Sequence, residues 1–157
     1  HGIPERHIRK SDITKSHCKI DKSCCQTNSK AHRYCYRHQC YETTRKVAEY
    51  LELKEGTYST SFQSRLGVDP WLQPYTDQTI ARFAKKGVKN MAIVTPAFVS
   101  DCLETLEEIG MEAAEDFEEK GGEELHVIPC INTRADWVNV MSRWIDQWAK
   151  AETVTSA

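Results

Sequence analysis

The sequence predicts an α/β fold, a parallel sheet with helices on both faces, preceded by an irregular cysteine-rich segment. Three observations lead there. Short continuous apolar runs, Met91-Ala92-Ile93-Val94 and His126-Val127-Ile128-Pro129, alternate with stretches of helical period. Strands that alternate with helices imply right-handed crossovers and therefore a parallel sheet. Finally, five of the seven cysteines and five of the six histidines crowd into the first 40 residues, where neither period is found.

The elements follow in chain order. Lys10 to Cys40 is polar, with turn formers at Asp21, Asn28 and Ser29, and needs a cross-link to be ordered. Residues 41–54 read as a helix with Val47, Ala48 and Leu51 on one side, stopped at Gly56. Thr57 to Phe62 is β-branched and aromatic, which predicts a strand. Pro70 to Pro74 forms a loop around Trp71, and Thr76 can cap a helix that carries Ile80, Phe83 and Ala84 and ends before Gly87. Met91 to Val94 suits a strand buried on both faces. A long acidic helix from about Ser100 to Lys120 stops at Gly121-Gly122, the run around Val127 gives a further strand, and a last amphipathic helix sets Trp137, Met141, Trp144 and Trp148 at helical spacing. Two units are expected, residues 1–40 and residues 41–157.

Composition narrows the function. The chain has 157 residues, 39% hydrophobic and 28% charged, enough for one globular domain with a substantial core. Its formal charge of −2 is spread over both signs, which argues against nucleic acid as a partner. No apolar run nears the roughly 20 residues that span a bilayer, so no transmembrane segment is expected. The reading is a cytoplasmic protein with, at most, peripheral membrane contact. The tryptophans of the last helix are read as facing a core or a partner domain. A start on His1-Gly2-Ile3-Pro4 reads as that of a fragment or processed product.

Three stretches can carry chemistry. Glu104, Glu108 and Glu112 recur every four residues directly after a buried strand. Stacked like charges cost a few tenths of a kcal/mol per pair on a helix, a π-bulge would align them further, and such a row calls for a cation. A solvated acidic face is the alternative reading. His1 offers an imidazole that titrates near neutrality, on a backbone path set by Gly2 and Pro4. Ser61 to Gly67 and the Pro-flanked Trp71 could line a pocket for a flat aromatic ligand, or Trp71 could plug a core.

Together these stretches resemble the ferrochelatases, from His1 to about residue 148 and in the same order. His1-Gly2-Ile3-Pro4 is similar to the family's His-Ser/Gly-hydrophobic-Pro segment, Ser100-Asp101-Cys102-Leu103-Glu104-Thr105-Leu106 to its Ser-Asp-His-hydrophobic-Glu-Thr-Leu segment, and Trp71-Leu72-Gln73-Pro74-Tyr75-Thr76 to its Trp-Leu-x-Pro-x-Thr motif. The resemblance implies the C-terminal, chelatase-like half of an enzyme that inserts ferrous iron into protoporphyrin IX or a related porphyrin. The N-terminal chelatase domain is then absent from this chain, and the fragment alone is inactive. It further implies His1 and Glu104 as catalytic residues, Glu108 and Glu112 on the path of the metal, and Trp71, Phe98, Gln63 and Ser64 against the porphyrin. Cys102 departs from the family's pattern, in which many members have His.

The cysteines of the first segment favour a metal site over disulfides in a cytosolic protein. Certain bacterial ferrochelatases hold an iron-sulfur cluster near this place, so the resemblance implies a 2Fe-2S cluster on four of Cys18, Cys24, Cys25, Cys35 and Cys40, with zinc the runner-up. One of the adjacent Cys24 and Cys25 is expected to ligate, and Cys40 is the least secure member. Cys102 and Cys130 are read as ordinary buried residues in apolar surroundings. The competing functions are a chelatase for another metal and tetrapyrrole, and a metal-binding module whose acidic helix is merely solvated.

Overall fold

The computed structural model describes residues 1–21 and 23–155; Lys22, inside the cysteine-rich segment, and residues 156–157, at the end of the expected second unit, lie outside the described residues. The elements run α1 (Glu5–Ser11), a 3₁₀ turn (Lys30–Tyr34), α2 (Tyr36–Tyr50), α3 (Thr76–Lys85), β1 (Asn90–Val94), a π-helical segment (Glu104–Glu112) that continues into α4 (Ala113–Glu119), β2 (Glu124–Ile128) and α5 (Ala135–Thr155). Helix α2 begins five residues before the expected start and spans position 40.

Strands β1 and β2 pair in parallel, Asn90 opposite Glu124 through Val94 opposite Ile128. Parallel neighbours need a crossover, which the π-helical segment and α4 supply. One face of the pair carries Met91, Ile93 and Leu125 onto a core of Ile80, Ala84 and Phe117 from α3 and α4. Residues of the other face, among them Ala92, Val94 and Ile128, are exposed. The expectation that Met91 to Val94 is buried on both faces is corrected here: apolar residues alternate between a covered and an open side. Helix α5 likewise leaves Trp144, Ile145 and Trp148 more than half exposed.

A second core gathers Ile8, Cys35, Phe62 and Leu72, with Ile3, Ile20, Tyr36 and Tyr41 packed around it. It joins α1 to the Trp71 loop: Pro4 bridges Trp71, the Leu72 amide donates to the Ile3 carbonyl at 3.0 Å and the Glu5 amide to the Pro70 carbonyl at 2.9 Å. The strand expected over Thr57 to Phe62 is reduced to one isolated bridge, Phe62 with Tyr75. The reason is local. Phe62 exchanges its backbone bonds with Pro74 and Thr76 of the loop leading into α3, while residues 57–59 are exposed and pair with no strand among the described residues. Thr76 does not cap α3 either, because its hydroxyl is hydrogen-bonded to that of Ser61 at 2.9 Å and Tyr75 occupies the cap position.

The cysteine-rich segment is ordered without a disulfide, its cysteines being free thiols. Two aspartates fix the backbone of the segment. The Asp12 carboxylate accepts the Thr14, His17 and Cys18 amides at 2.8, 3.0 and 2.9 Å and the Thr14 hydroxyl at 2.7 Å. The Asp21 carboxylate accepts the Ser23 and Cys24 amides at 2.9 and 2.8 Å. Short acidic side chains that bond to nearby amides in this way substitute for regular structure. Apolar anchors complete the docking, with Cys18, Ile20 and Cys40 packed on the Ile8 and Phe62 core.

Two predictions follow from these packings. A Cβ on Gly122 would lie 2.3 Å from the fully buried Phe117 ring, so Gly122→Ala should cost about 1–3 kcal/mol by overpacking. In a Phe117→Leu background the same change should cost less, as urea denaturation of the four proteins of the cycle reads; strictly additive costs would refute the clash. The second concerns acid. The Cys18 amide, with the other donors, holds the Asp12 carboxyl at about 2 from an ordinary 3.8. A depressed carboxylate contributes stability that is full above its unfolded value and lost as pH falls from about 4 through about 2. Asp12→Asn should lower the thermal midpoint at pH 7 and flatten that acid limb, and an unchanged limb would count against the role.

Candidate functional site

The site is assembled beyond the carboxyl end of β1, where open parallel sheets bind ligands. Its first wall is the His1 segment. The Gly2 amide donates to the Gln63 carbonyl at 2.7 Å, and a Cβ at Gly2 would stand 3.0 Å from both the Gln63 and Ser64 carbonyl oxygens. Only glycine allows this approach without movement. The neighbouring His1 ring lies 6.3 Å from the Trp71 ring and edge-on to Phe98 at 6.1 Å. Its Nδ1 is 2.6 Å from the Gly2 carbonyl, which can only accept. The proton is therefore on Nδ1, and in the neutral ring Nε2 keeps its lone pair. Trp71 is held in turn by an Nε1 bond to the Leu66 carbonyl at 3.0 Å.

The second wall is the acidic row, and Gln63 joins it to the first. The buried Gln63 amide donates to the Glu104 carbonyl at 3.1 Å and to the Glu108 carboxylate at 3.2 Å, and the Ser64 hydroxyl reaches the same carboxylate at 3.3 Å. Glu104 to Glu112 is π-helical over its whole length, a wider winding than an α-helix and one often met at functional sites. Glu107, Glu108 and Glu112 line a cleft of about 670 Å³ with Gln63, Arg65 and Asp116. Glu104 sits at the head of the row, its carboxyl held below the usual carboxylate range chiefly by a hydrogen bond from the Cys102 thiol.

What anchors the row is a polar joint that sequence reasoning missed. Asp101 accepts from the fully buried Thr105 hydroxyl at 3.0 Å, from the Asn132 amide at 2.6 Å and from the Cys130 backbone at 3.3 Å. It thereby pins the start of the π-helical segment to the loop after β2. Asn132 lies 31 residues downstream and carried no local signal. Cys102 and Cys130 are also corrected here. Both are half-buried in polar surroundings, Cys130 beside Thr95 at 3.5 Å and Cys102 beside Glu104 and Thr105.

The five thiols of the first segment are electrostatic neighbours of one another, Cys24 of Cys18 and Cys25, and Cys18, Cys25 and Cys40 of Cys35. The interaction of the Cys25 and Cys35 thiols holds Cys35 below the usual thiol range and pushes Cys25 above it. The Cys24 carbonyl accepts from Nε2 of His17 and His32 at 2.7 and 2.9 Å, and His32 stacks on His38 at 3.6 Å. Among the described residues no three His, Cys, Asp or Glu side chains are gathered closely enough to hold one metal ion. The donor chemistry nonetheless fits an iron-sulfur cluster: soft thiols, and a buried Arg37 with an orphaned Nε beside Cys24 and Cys25.

The structure thus sets His1 beside Trp71 and Phe98, and through Gln63 links that segment's backbone to Glu104 and Glu108. Gln63, Ser64, Glu108 and Glu112 line the cleft, whereas His1, Trp71, Phe98 and Glu104 are not among its lining residues. The thiols form a separate group, tied to the first through the Tyr36 hydroxyl, which donates to the His1 carbonyl at 2.7 Å.

The sequence model of the ferrochelatase family matches residues 1–149. A ferrochelatase of Opitutus terrae is 45% identical over 151 residues, covering 96% of this chain and 44% of its own length. Those of Pseudomonas fluorescens SBW25 and Stutzerimonas stutzeri are 46% and 48% identical, each over 90% of this chain and 42% of their own length. This chain therefore spans less than half the length of the curated relatives it matches. A match over nearly every described residue, including both walls of the site, means that the chain belongs to the ferrochelatase family.

Proposed function

We propose that this chain forms the metal-handling half of a longer cytoplasmic enzyme that inserts ferrous iron into protoporphyrin IX or a related porphyrin, giving haem. The observation that carries this reading is the Gln63 joint, which ties the backbone of the His1 segment to Glu104 and Glu108. The segment that carries a base is thereby linked to an acidic row, with two aromatic rings beside the base.

Insertion exchanges one dication for two pyrrole protons, so the site must take up protons while it strips water from the ion. His1 is suited to the first task, since its Nδ1 bond leaves Nε2 as the acceptor. Glu104 and Glu108 are suited to the second, because carboxylate oxygens can replace the waters of ferrous iron, and Glu112 extends the row along the cleft. Trp71 and Phe98 flank His1 and can lie against a flat macrocycle. Gln63 and Ser64 keep Glu108 oriented. The Cys102 thiol, in the position where many relatives carry His, favours the ionised form of the Glu104 carboxyl.

Four of Cys18, Cys24, Cys25, Cys35 and Cys40 are the proposed holders of a 2Fe-2S cluster, with Cys35 central to the set; zinc is the alternative occupant. Such a cluster would supply one-electron redox capacity and a covalent clasp on the segment behind His1. The open face of the sheet and the exposed Trp144 and Trp148 of α5 are proposed to be covered by the other half of the longer protein. No helix of the described residues is long and apolar enough to cross a membrane. The isolated chain should have little or no insertion activity, and a rate matching that of the longer protein would refute the need for a second half.

In the full-length enzyme, Glu104→Gln and His1→Ala should each lower kcat for iron insertion by about 10²–10⁴-fold, the range for lost acid-base groups; an unchanged rate in either would remove that residue from the mechanism. Cys102→Ala withdraws the hydrogen bond that favours the Glu104 carboxylate, so its pKa should rise. The acid limb of kcat/KM should then move to higher pH, and a limb that stays or moves lower would contradict the assigned contact.

A further inference from the structure

Arg37 lies in the first turn of α2, and only 8% of it is exposed. Its Nη1 donates to the Asp21 carbonyl at 2.8 Å and faces two sulfurs, Cys25 at 3.4 Å and Cys24 at 3.7 Å. The guanidinium stacks over the Tyr41 ring at 5.1 Å. Its Nε is buried with no partner at all. Among the described residues no carboxylate pairs with it, for the salt bridges of this segment engage other arginines and Asp21 spends its oxygen on the Ser23 and Cys24 amides.

Arginine stays protonated under all ordinary conditions. A buried cation with neither counter-charge nor full hydrogen bonding is strongly destabilising, and native folds avoid it unless an anion completes the site. The groups that could supply that charge are the thiols it touches. Four thiolates, two sulfides and two ferric ions sum to a net charge of −2, and one added electron makes it −3.

We propose that Arg37 is the buried counter-cation of the thiolate cluster, donating to the sulfur of Cys24 or Cys25 and raising the cluster's reduction potential by stabilising the more negative, reduced state. The inference rests on the cluster reading above and adds to it a residue outside the ligand set. Arg37 also explains why two adjacent cysteines are present: its donors reach both sulfurs, so the one that does not ligate still accepts a hydrogen bond beside the charge. A lysine would keep the charge but lose the planar fork.

The test uses the anaerobically purified full-length protein and its Arg37→Lys and Arg37→Met variants. Iron and sulfide analysis, visible absorbance and the electron paramagnetic resonance of the dithionite-reduced state report the cluster, and a mediated redox titration gives its midpoint potential. The expected order is wild type highest, Arg37→Lys between, Arg37→Met lowest. Equal midpoints with intact spectra would overturn the role of Arg37 while leaving the cluster in place. If Arg37→Met folds but holds no iron, the need for a counter-cation is upheld; if it fails to fold, the Arg37→Lys midpoint decides, a lowered value supporting the proposal and an unchanged one refuting it. Wild-type protein with neither iron nor sulfide would overturn the cluster reading, and this one with it.

Discussion

One buried amide ties the His1 segment to the acidic row. The Gln63 carbonyl takes the Gly2 amide, and the Gln63 side chain gives its protons to the Glu104 carbonyl and the Glu108 carboxylate. Each partner comes from a different part of the chain, 41 to 61 residues apart in sequence as counted from Gly2 to Gln63 and from Gln63 to Glu104. The requirement for glycine at position 2 follows from it, since that backbone passes against the Gln63 and Ser64 carbonyls. The angle of the π-helical row follows too, because its first residue is tied at the carbonyl and its second glutamate at the carboxylate.

The thiol segment is coupled to this joint rather than appended to it. Helix α2 carries Tyr36, whose hydroxyl holds the His1 carbonyl, then Arg37 against Cys24 and Cys25, then Cys40 on the Ile8 and Phe62 core. A change in charge or volume at the thiols therefore meets the His1 segment within one or two turns of a single helix. Asp12 and Asp21 keep the loop folded by bonding to amides rather than to metal, so the segment has a defined shape on which ligands can converge.

Much of this was legible from residue types. Helices α3 and α5, the two parallel strands and the glutamate row follow from periodicity and from Gly stops, because local pattern and final burial agree there. Thr57 to Phe62 misled: its β-branched residues have strand character but pair with neither strand of the sheet, and a propensity without a partner yields only the Phe62 bridge. The open side of β1 was hidden for a related reason, since an apolar run looks the same whether its second face is covered within the chain or left exposed. For the site, His1, Trp71 and Glu104 were readable through motifs. Asn132 and Arg37 were not: their importance lies in a carboxylate 31 residues away and in sulfurs 12 and 13 residues away, and neither spacing carries a period.

The most direct measurement of the account is steady-state iron insertion by full-length Gln63→Leu protein, beside Gln63→Glu. Leucine fills the volume but cannot donate, so kcat/KM for ferrous iron should fall by about 10-fold or more, a loss of about 1.4 kcal/mol or more of transition-state stabilisation, with the porphyrin KM little changed. Gln63→Glu should be at least as impaired, because it sets a second carboxylate against Glu108. Wild-type kinetics for iron in both variants would show that the two walls do not depend on this bond, and the arrangement proposed for the cleft would fail.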